Sequence, residues 1–148
     1  MHREIYLIAD RIRSLHNVGS LFRTADAFGI GKIYLCGYTG TPPRKEISKV
    51  ALGAEETVAW EKRGQTWKLV EELRKKGITV VALEIDHNAN VHPRVAREFI
   101  SRQAAHKVPR YSSLCDYRPK FPLALIVGNE VNGVSAGVLS RADAVVHI

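Results

Sequence analysis

The sequence predicts an α/β domain with a largely parallel sheet and helices on both faces. Short, near-continuous apolar runs of strand length recur along the chain, as strands buried on both faces require. Stretches with apolar residues at helical spacing separate them. Glycines and prolines stand at many of the joints. Alternation of this kind builds βαβ units, whose crossovers lay helices on the sheet. A chain of 148 residues, 45% apolar and 25% charged, suits one globular domain with its own core.

The first strand is expected over residues 4–9, "EIYLIA". A helix follows, with Val18, Leu21, Phe22, Ala25 and Phe28 on one face. Asn17 is placed to cap its start, and Gly29 or Gly31 to stop it. "KIYLCG" reads as a second strand, and "YTGTPPRKE" as a loop broken by Pro42 and Pro43. "ISKVALGAEETVAW" suggests a short helix ending near Gly53, then a strand over 57–60. "QTWKLVEELRKKG" is an amphipathic helix with Trp67, Val70 and Leu73 inward and Gly77 at its end. "ITVVALEI" is a strand; a helix is expected over 94–104. "LALIV" is another buried strand, "VSAGVLSRA" a short helix and "DAVVHI" a last strand. Ligands of such sheets bind beyond the carboxyl ends of the strands. That draws attention to the positions after Ala9, Leu83, Val127 and Ile148.

The net charge of +7 favours a polyanionic partner such as RNA or DNA. Between His87 and Lys120, seven Lys/Arg stand against Glu98 and Asp116, so this stretch carries +5 of the excess. No apolar run reaches the roughly 18 residues of a membrane span. The apolar run near the amino end is too short for a signal peptide, so a cytoplasmic protein is expected. Cys36 and Cys115 lack CxxC spacing, and the six histidines lack HxxH or HExxH spacing; no metal site is expected. Cys36 reads as a small core residue.

"LALIVGNEVNGVS" has the layout of strand, glycine loop and helix start that cradles phosphate. Neither GxGxxG nor GxxxxGK[ST] matches it, and Glu130 would repel an anion. Glu130 either charges a helix N-terminus or faces a neutral or cationic ligand, with Gly128 allowing close approach to the backbone. In "HNVGSLFRTADAFG", Arg23 falls on the polar side of its helix. It either pairs with Asp26 or grips an RNA phosphate.

These two stretches carry a family resemblance. "NVGSLFRTADAFGIGKIYLCG" resembles motif 1, and "LALIVGNEVNGVS" motif 2, of the SpoU (TrmH-like) class of the SPOUT superfamily. The likeness covers roughly residues 5–60, 79–84 and 117–148. It implies a 2′-O-methyltransferase acting on ribose in tRNA or rRNA, with S-adenosylmethionine as methyl donor. It also implies a parallel sheet with a C-terminal trefoil knot, and a homodimer. Arg23 matches the motif 1 arginine, which orients the ribose 2′-OH or helps deprotonate it. Asn17 and Glu130 match the motif 1 asparagine and motif 2 glutamate of the catalytic set. Gly128 matches a cofactor-contacting glycine. Leu83 and Ile148 stand where the family's first cofactor loop and motif 3 begin. Arginine is a poor base at its ordinary pKa, so Arg23 is expected to position substrate.

Two stretches depart from the family pattern. The motif 3 segment, which lines the cofactor pocket and completes the knot, would begin at Ile148, so an incomplete site is expected within residues 1–148. Residues 90–112 have no family counterpart. With Arg94, Arg97, Arg102, Lys107 and Arg110, they read either as an RNA-binding arm or as a disordered insertion. The alternative to an enzyme is a non-catalytic RNA-binding or scaffold protein on the same fold. A generic nucleotide-binding domain is disfavoured by Glu130 and the missing phosphate fingerprint.

Overall fold

The computed structural model describes residues 4–85 and 110–148, with Arg110 described in its backbone alone. The expected helix over 94–104 and the candidates Arg94, Arg97, Arg102 and Lys107 lie outside the described residues.

Seven parallel strands form one sheet. They are β1 (Ile5–Asp10), β2 (Lys32–Cys36), β3 (Trp60–Arg63), β4 (Thr79–Glu84), β5 (Arg110–Ser113), β6 (Leu123–Val127) and β7 (Ala144–His147). Their order across the sheet is β3-β2-β1-β6-β4-β7-β5, and every pairing is parallel. The helices are α1 (Leu15–Phe28), α2 (Lys45–Ala51), α3 (Ala54–Thr57), α4 (Thr66–Lys75) and α5 (Ala136–Leu139). The expected α/β architecture is therefore present.

Alternation along the strands gives each face its own core. Leu7, Ala9, Ile33 and Leu35 pack with Val18, Phe22 and Ala25 of α1 and Ile47 and Ala51 of α2. Ile8, Tyr34, Cys36, Val80, Ala82 and Ile126 pack with Leu69, Val70 and Leu73 of α4 and Val138 of α5. A third group, Val81, Leu123, Ala144 and Val146, lies under Tyr117. The chain steps outward from β1 to β3 and then returns to the far side of β1. Right-handed crossovers in opposite directions place α1 and α4 on opposite faces.

Several local expectations are corrected. α1 begins one turn before Asn17. Ser14, in extended conformation, is its cap, and the Ser14 hydroxyl accepts a bond from the Asn17 backbone at 3.2 Å. Phe28, the last residue before the left-handed Gly29, lies beyond the core edge and is 77% exposed. Residues 54–57 form α3, with strand β3 only after it, because Gly53 (φ 92°) reverses the chain and the Glu55 carboxylate accepts its N–H. In α4 the buried stripe is Thr66, Leu69, Val70 and Leu73. The Thr66 hydroxyl is fixed on the Asp10 carboxylate, which sets that register. Trp67 is turned outward, between the cations of Lys68 and Arg141 at 5.4 and 5.1 Å from its ring. β5 was not expected, since "RYSS" is short and polar. Among the described residues no helix is long and apolar enough to cross a membrane.

Candidate active site

The carboxyl ends of β4, β6 and β7 frame a cavity of about 370 Å³. Leu83, Glu84 and Ile85 line it from β4, Val127 and residues 128–133 from β6, and Ile148 from the end of β7. All three cofactor candidates, Leu83, Gly128 and Ile148, meet there. A broader groove at the opposite end of the sheet, along Lys75, Ile78, Thr79 and Asp143, lies at the amino ends of the strands, where parallel sheets do not place their ligands.

The loop of residues 128–133 closes on itself. The backbones of Asn129 and Gly133 exchange two hydrogen bonds, at 3.1 and 2.9 Å. The Asn129 side chain, 4% exposed, organises everything around it. Its Oδ1 accepts from the Val131 and Asn132 backbones, both at 2.9 Å. Its Nδ2 donates to the Arg11 carbonyl at 3.0 Å and to the Tyr38 hydroxyl at 2.9 Å. The Glu84 carboxylate takes the Val134 N–H at 2.6 Å, tying the loop to β4. Gly128 is needed here for a reason other than cofactor approach: a Cβ at this position would overlap the Gly133 and Val134 backbone.

Glu130 projects from the same loop to the start of α1. Its two carboxylate oxygens accept the Arg13 and Ser14 backbone N–H groups, each at 3.0 Å, and Asn17 Nδ2 at 2.9 Å. The expected partnership of an acid with a helix N-terminus is correct, but the helix is α1 and not α5. Desolvation raises the Glu130 pKa. The N–H donors of Arg13 and Ser14, with the Asn17 amide, outweigh it and hold the carboxyl down at about 2. Asn17 and Glu130 are thus brought together, as a clasp between the pocket loop and α1.

This clasp has a pH signature. The folded pKa lies below the ordinary glutamate value of about 4.3, so its stabilisation is present above that value and lost as pH falls towards 2. Solvent screening at this exposed residue limits it to about 1 kcal/mol. Glu130→Gln is expected to lower the urea midpoint at pH 7, with the difference from the parent chain shrinking to nothing near pH 2. A difference independent of pH would refute the ionic clasp.

Arg23 is exposed on α1, outside the pocket lining. It makes no ion pair with Asp26 among the described residues; Asp26 instead accepts the Thr57 hydroxyl at 3.1 Å. Cys36 is buried, and desolvation pushes its thiol up to about 12, which fits a core residue.

Sequence reasoning missed Asn129, Tyr38, Glu84 and Asp10. Asn129 carries an available signal, since Asn before a glycine-bearing turn favours side-chain bonds to the backbone two and three residues on. Asp10, 1% exposed, binds the Thr66 hydroxyl and lies 3.4 Å from both the Ser135 backbone N–H and the Arg11 guanidinium. No local pattern announces it.

The model of the SpoU rRNA Methylase family matches residues 4–148. A 23S rRNA (guanosine-2′-O-)-methyltransferase of Neisseria meningitidis serogroup B is 30% identical over 88 residues, 60% of this chain and 35% of that protein. The AdoMet-bound rRNA methyltransferase structure from Sinorhizobium meliloti superimposes with a TM-score of 0.72 at 27% identity, covering 100% of this chain and 49% of that one. The SpoU methyltransferase AviRb of Streptomyces viridochromogenes, at 19% identity and a TM-score of 0.73, shares the fold over 100% of this chain and 51% of its own. The chain spans about half (48%) of the length of the curated relatives that it matches nearly end to end.

Proposed function

The chain belongs to the SpoU rRNA methylase family, and on that premise we propose that it transfers a methyl group from S-adenosylmethionine to a ribose 2′-OH of tRNA or rRNA. The observation that carries this reading is the cavity at the carboxyl ends of β4, β6 and β7, walled by the loop that Asn129 and Glu130 hold in place.

The cavity fits such a cofactor. Its volume lies in the range of small-molecule sites. Leu83, Ile85, Val131 and Ile148 line it with apolar surface that would suit an adenine ring, and the carboxylates of Glu84 and Glu130, which also line it, would favour a cationic ligand over an anionic one. Leu83, Gly128 and Ile148 are the contacts we assign to the cofactor. When bound, S-adenosylmethionine supplies an electrophilic methyl group.

The remaining work is alignment. Glu130 and Asn17 fix the pocket wall to α1, and α1 presents Arg23 to solvent. Arg23, always charged, grips a phosphate beside the target ribose and orients the 2′-OH. The proton leaves to a phosphate oxygen or another group on the RNA side. The basic stretch 90–112 adds phosphate contacts through Arg94, Arg97, Arg102, Lys107 and Arg110. A cytoplasmic homodimer, as the family resemblance implies, belongs to the same reading.

Calorimetry with S-adenosylmethionine and labelled methyl transfer to bulk tRNA and rRNA test it together. Binding and 2′-O-methyl incorporation are expected. Binding of RNA with no heat from the cofactor at high micromolar concentration would favour the non-catalytic alternative. Arg23→Ala is expected to cut methyl transfer by at least tenfold while leaving cofactor affinity unchanged; full activity in this variant would remove Arg23 from the mechanism.

A further inference from the structure

We infer that Tyr38 is a stacking platform for an RNA base at the rim of the pocket. This rests on the RNA-methylation reading and names a recognition element within it.

Tyr38 follows β2 at the carboxyl edge of the sheet and keeps 58% of its surface exposed. Single-stranded RNA is read largely by stacking unstacked bases on exposed aromatic rings. The ring is held rather than free. Its hydroxyl is fixed on Asn129 Nδ2, the same amide that binds the Arg11 carbonyl. Asn129 itself lines the pocket, so the ring stands one hydrogen bond from the proposed methyl-transfer site.

The backbone beneath the ring is pinned on both sides. Gly37 N–H donates to the Arg63 carbonyl at 3.0 Å, and Thr39 N–H to the Cys36 carbonyl at 3.2 Å. The buried Thr39 hydroxyl accepts the Ile12 N–H at 2.9 Å and reaches the Cys36 carbonyl at 2.7 Å. Gly40 lies hard against the Leu15 side chain. A platform fixed in this way loses little entropy when a base settles on it.

The neighbouring Arg11, whose guanidinium lies 3.4 Å from the Asp10 carboxylate, shapes the adjoining turn. Arg11 packs on Gly37 and adopts a left-handed backbone with φ 57°, unusual for a residue with a side chain. Its N–H bonds the Cys36 carbonyl at 3.2 Å, and its own carbonyl is taken by Asn129. These bonds maintain a conformation that costs free energy, the kind of strain that clusters at functional sites. Arg13, two residues on, is exposed while its N–H is clasped by Glu130. A fixed, exposed aromatic ring held by a strained neighbouring turn, next to a pocket for the methyl donor, is equipped to hold the target base or its neighbour.

The test uses an unstructured RNA octamer with one central 2-aminopurine, whose fluorescence is quenched on stacking. The parent protein is expected to bind and quench it. Tyr38→Ala is expected to weaken binding roughly tenfold or more and to abolish the quench, with S-adenosylmethionine affinity kept within about threefold. Tyr38→Phe, which keeps the ring and loses the bond to Asn129, should retain RNA affinity within about threefold and so separate stacking from loop support. If the parent binds and Tyr38→Ala binds and quenches equally well, the platform is wrong while the methylation reading stands. If the parent does not bind RNA at all, both fall.

Discussion

Gly128→Ala is expected to abolish tight S-adenosylmethionine binding and to destabilise the fold by about 2–4 kcal/mol. The added Cβ would overlap the backbone carbon of Gly133 and nitrogen of Val134. Neither atom can move cheaply. The Gly133 backbone is tied to Asn129 by two hydrogen bonds, and Val134 N–H is held by Glu84 at 2.6 Å. Relief requires opening the loop, at about 1 kcal/mol for each bond lost, or straining it, at about 1–3 kcal/mol for an overpacked site. The opened loop takes Val131 and Asn132 out of the cavity wall, so cofactor affinity should fall at least tenfold. Denaturant melting and calorimetry read the two effects. A variant with unchanged midpoint and affinity would show that this loop is not the cofactor wall.

The architecture was legible because its causes are local. "LALIV" and "IYLIA" are apolar runs of strand length, as buried strands require, and the spacing of Val18, Phe22 and Ala25 marks a helix face. Errors arose where a tertiary bond overrode a local pattern. Asn17 looked like a cap, but Ser14 caps the helix one turn earlier, which frees the Asn17 amide for Glu130. Trp67 looked buried by hydrophobicity, but the Thr66–Asp10 bond turns it outward and Leu69 inward. β5 is polar and gains its place only by pairing with β7. The site was half legible. The motif residues Leu83, Gly128, Glu130 and Ile148 do converge on one cavity. What Glu130 does there depends on groups more than 110 residues away in sequence. Asn129, Tyr38 and Arg11 meet by the same route, through the fold alone.

Asn129→Asp should be the most disabling change for its size, since it alters one atom. The carboxylate can still accept the Val131 and Asn132 N–H groups. It can no longer donate, so the Arg11 carbonyl faces an anion at about the 3.0 Å of the lost bond. Tyr38 can turn its hydroxyl to donate, which leaves the Arg11 carbonyl as the orphan. An unpaired acceptor in a site only 4% exposed costs about 1–3 kcal/mol, and charge raises that. The expected loss is about 2–3 kcal/mol at pH 7, or a urea midpoint lowered by about 1–2 M. The new carboxyl should titrate above its unfolded value of about 3.9, because burial and the facing carbonyl disfavour its ionised form. Its penalty is then fully present above the raised folded pKa and fades as pH falls through it towards 3.9, when the protonated acid can donate again. Both penalties fade as pH falls, but that of Glu130→Gln fades in a lower window, between about 4.3 and 2. Because the Asn129 amide joins the pocket loop, the Arg11 turn and Tyr38, the variant should lose cofactor and RNA affinity together, whereas Tyr38→Ala loses RNA alone. If Asn129→Asp were as stable as the parent at pH 7, or lost only one of the two affinities, Asn129 would not be the joint through which the two halves of the site are held.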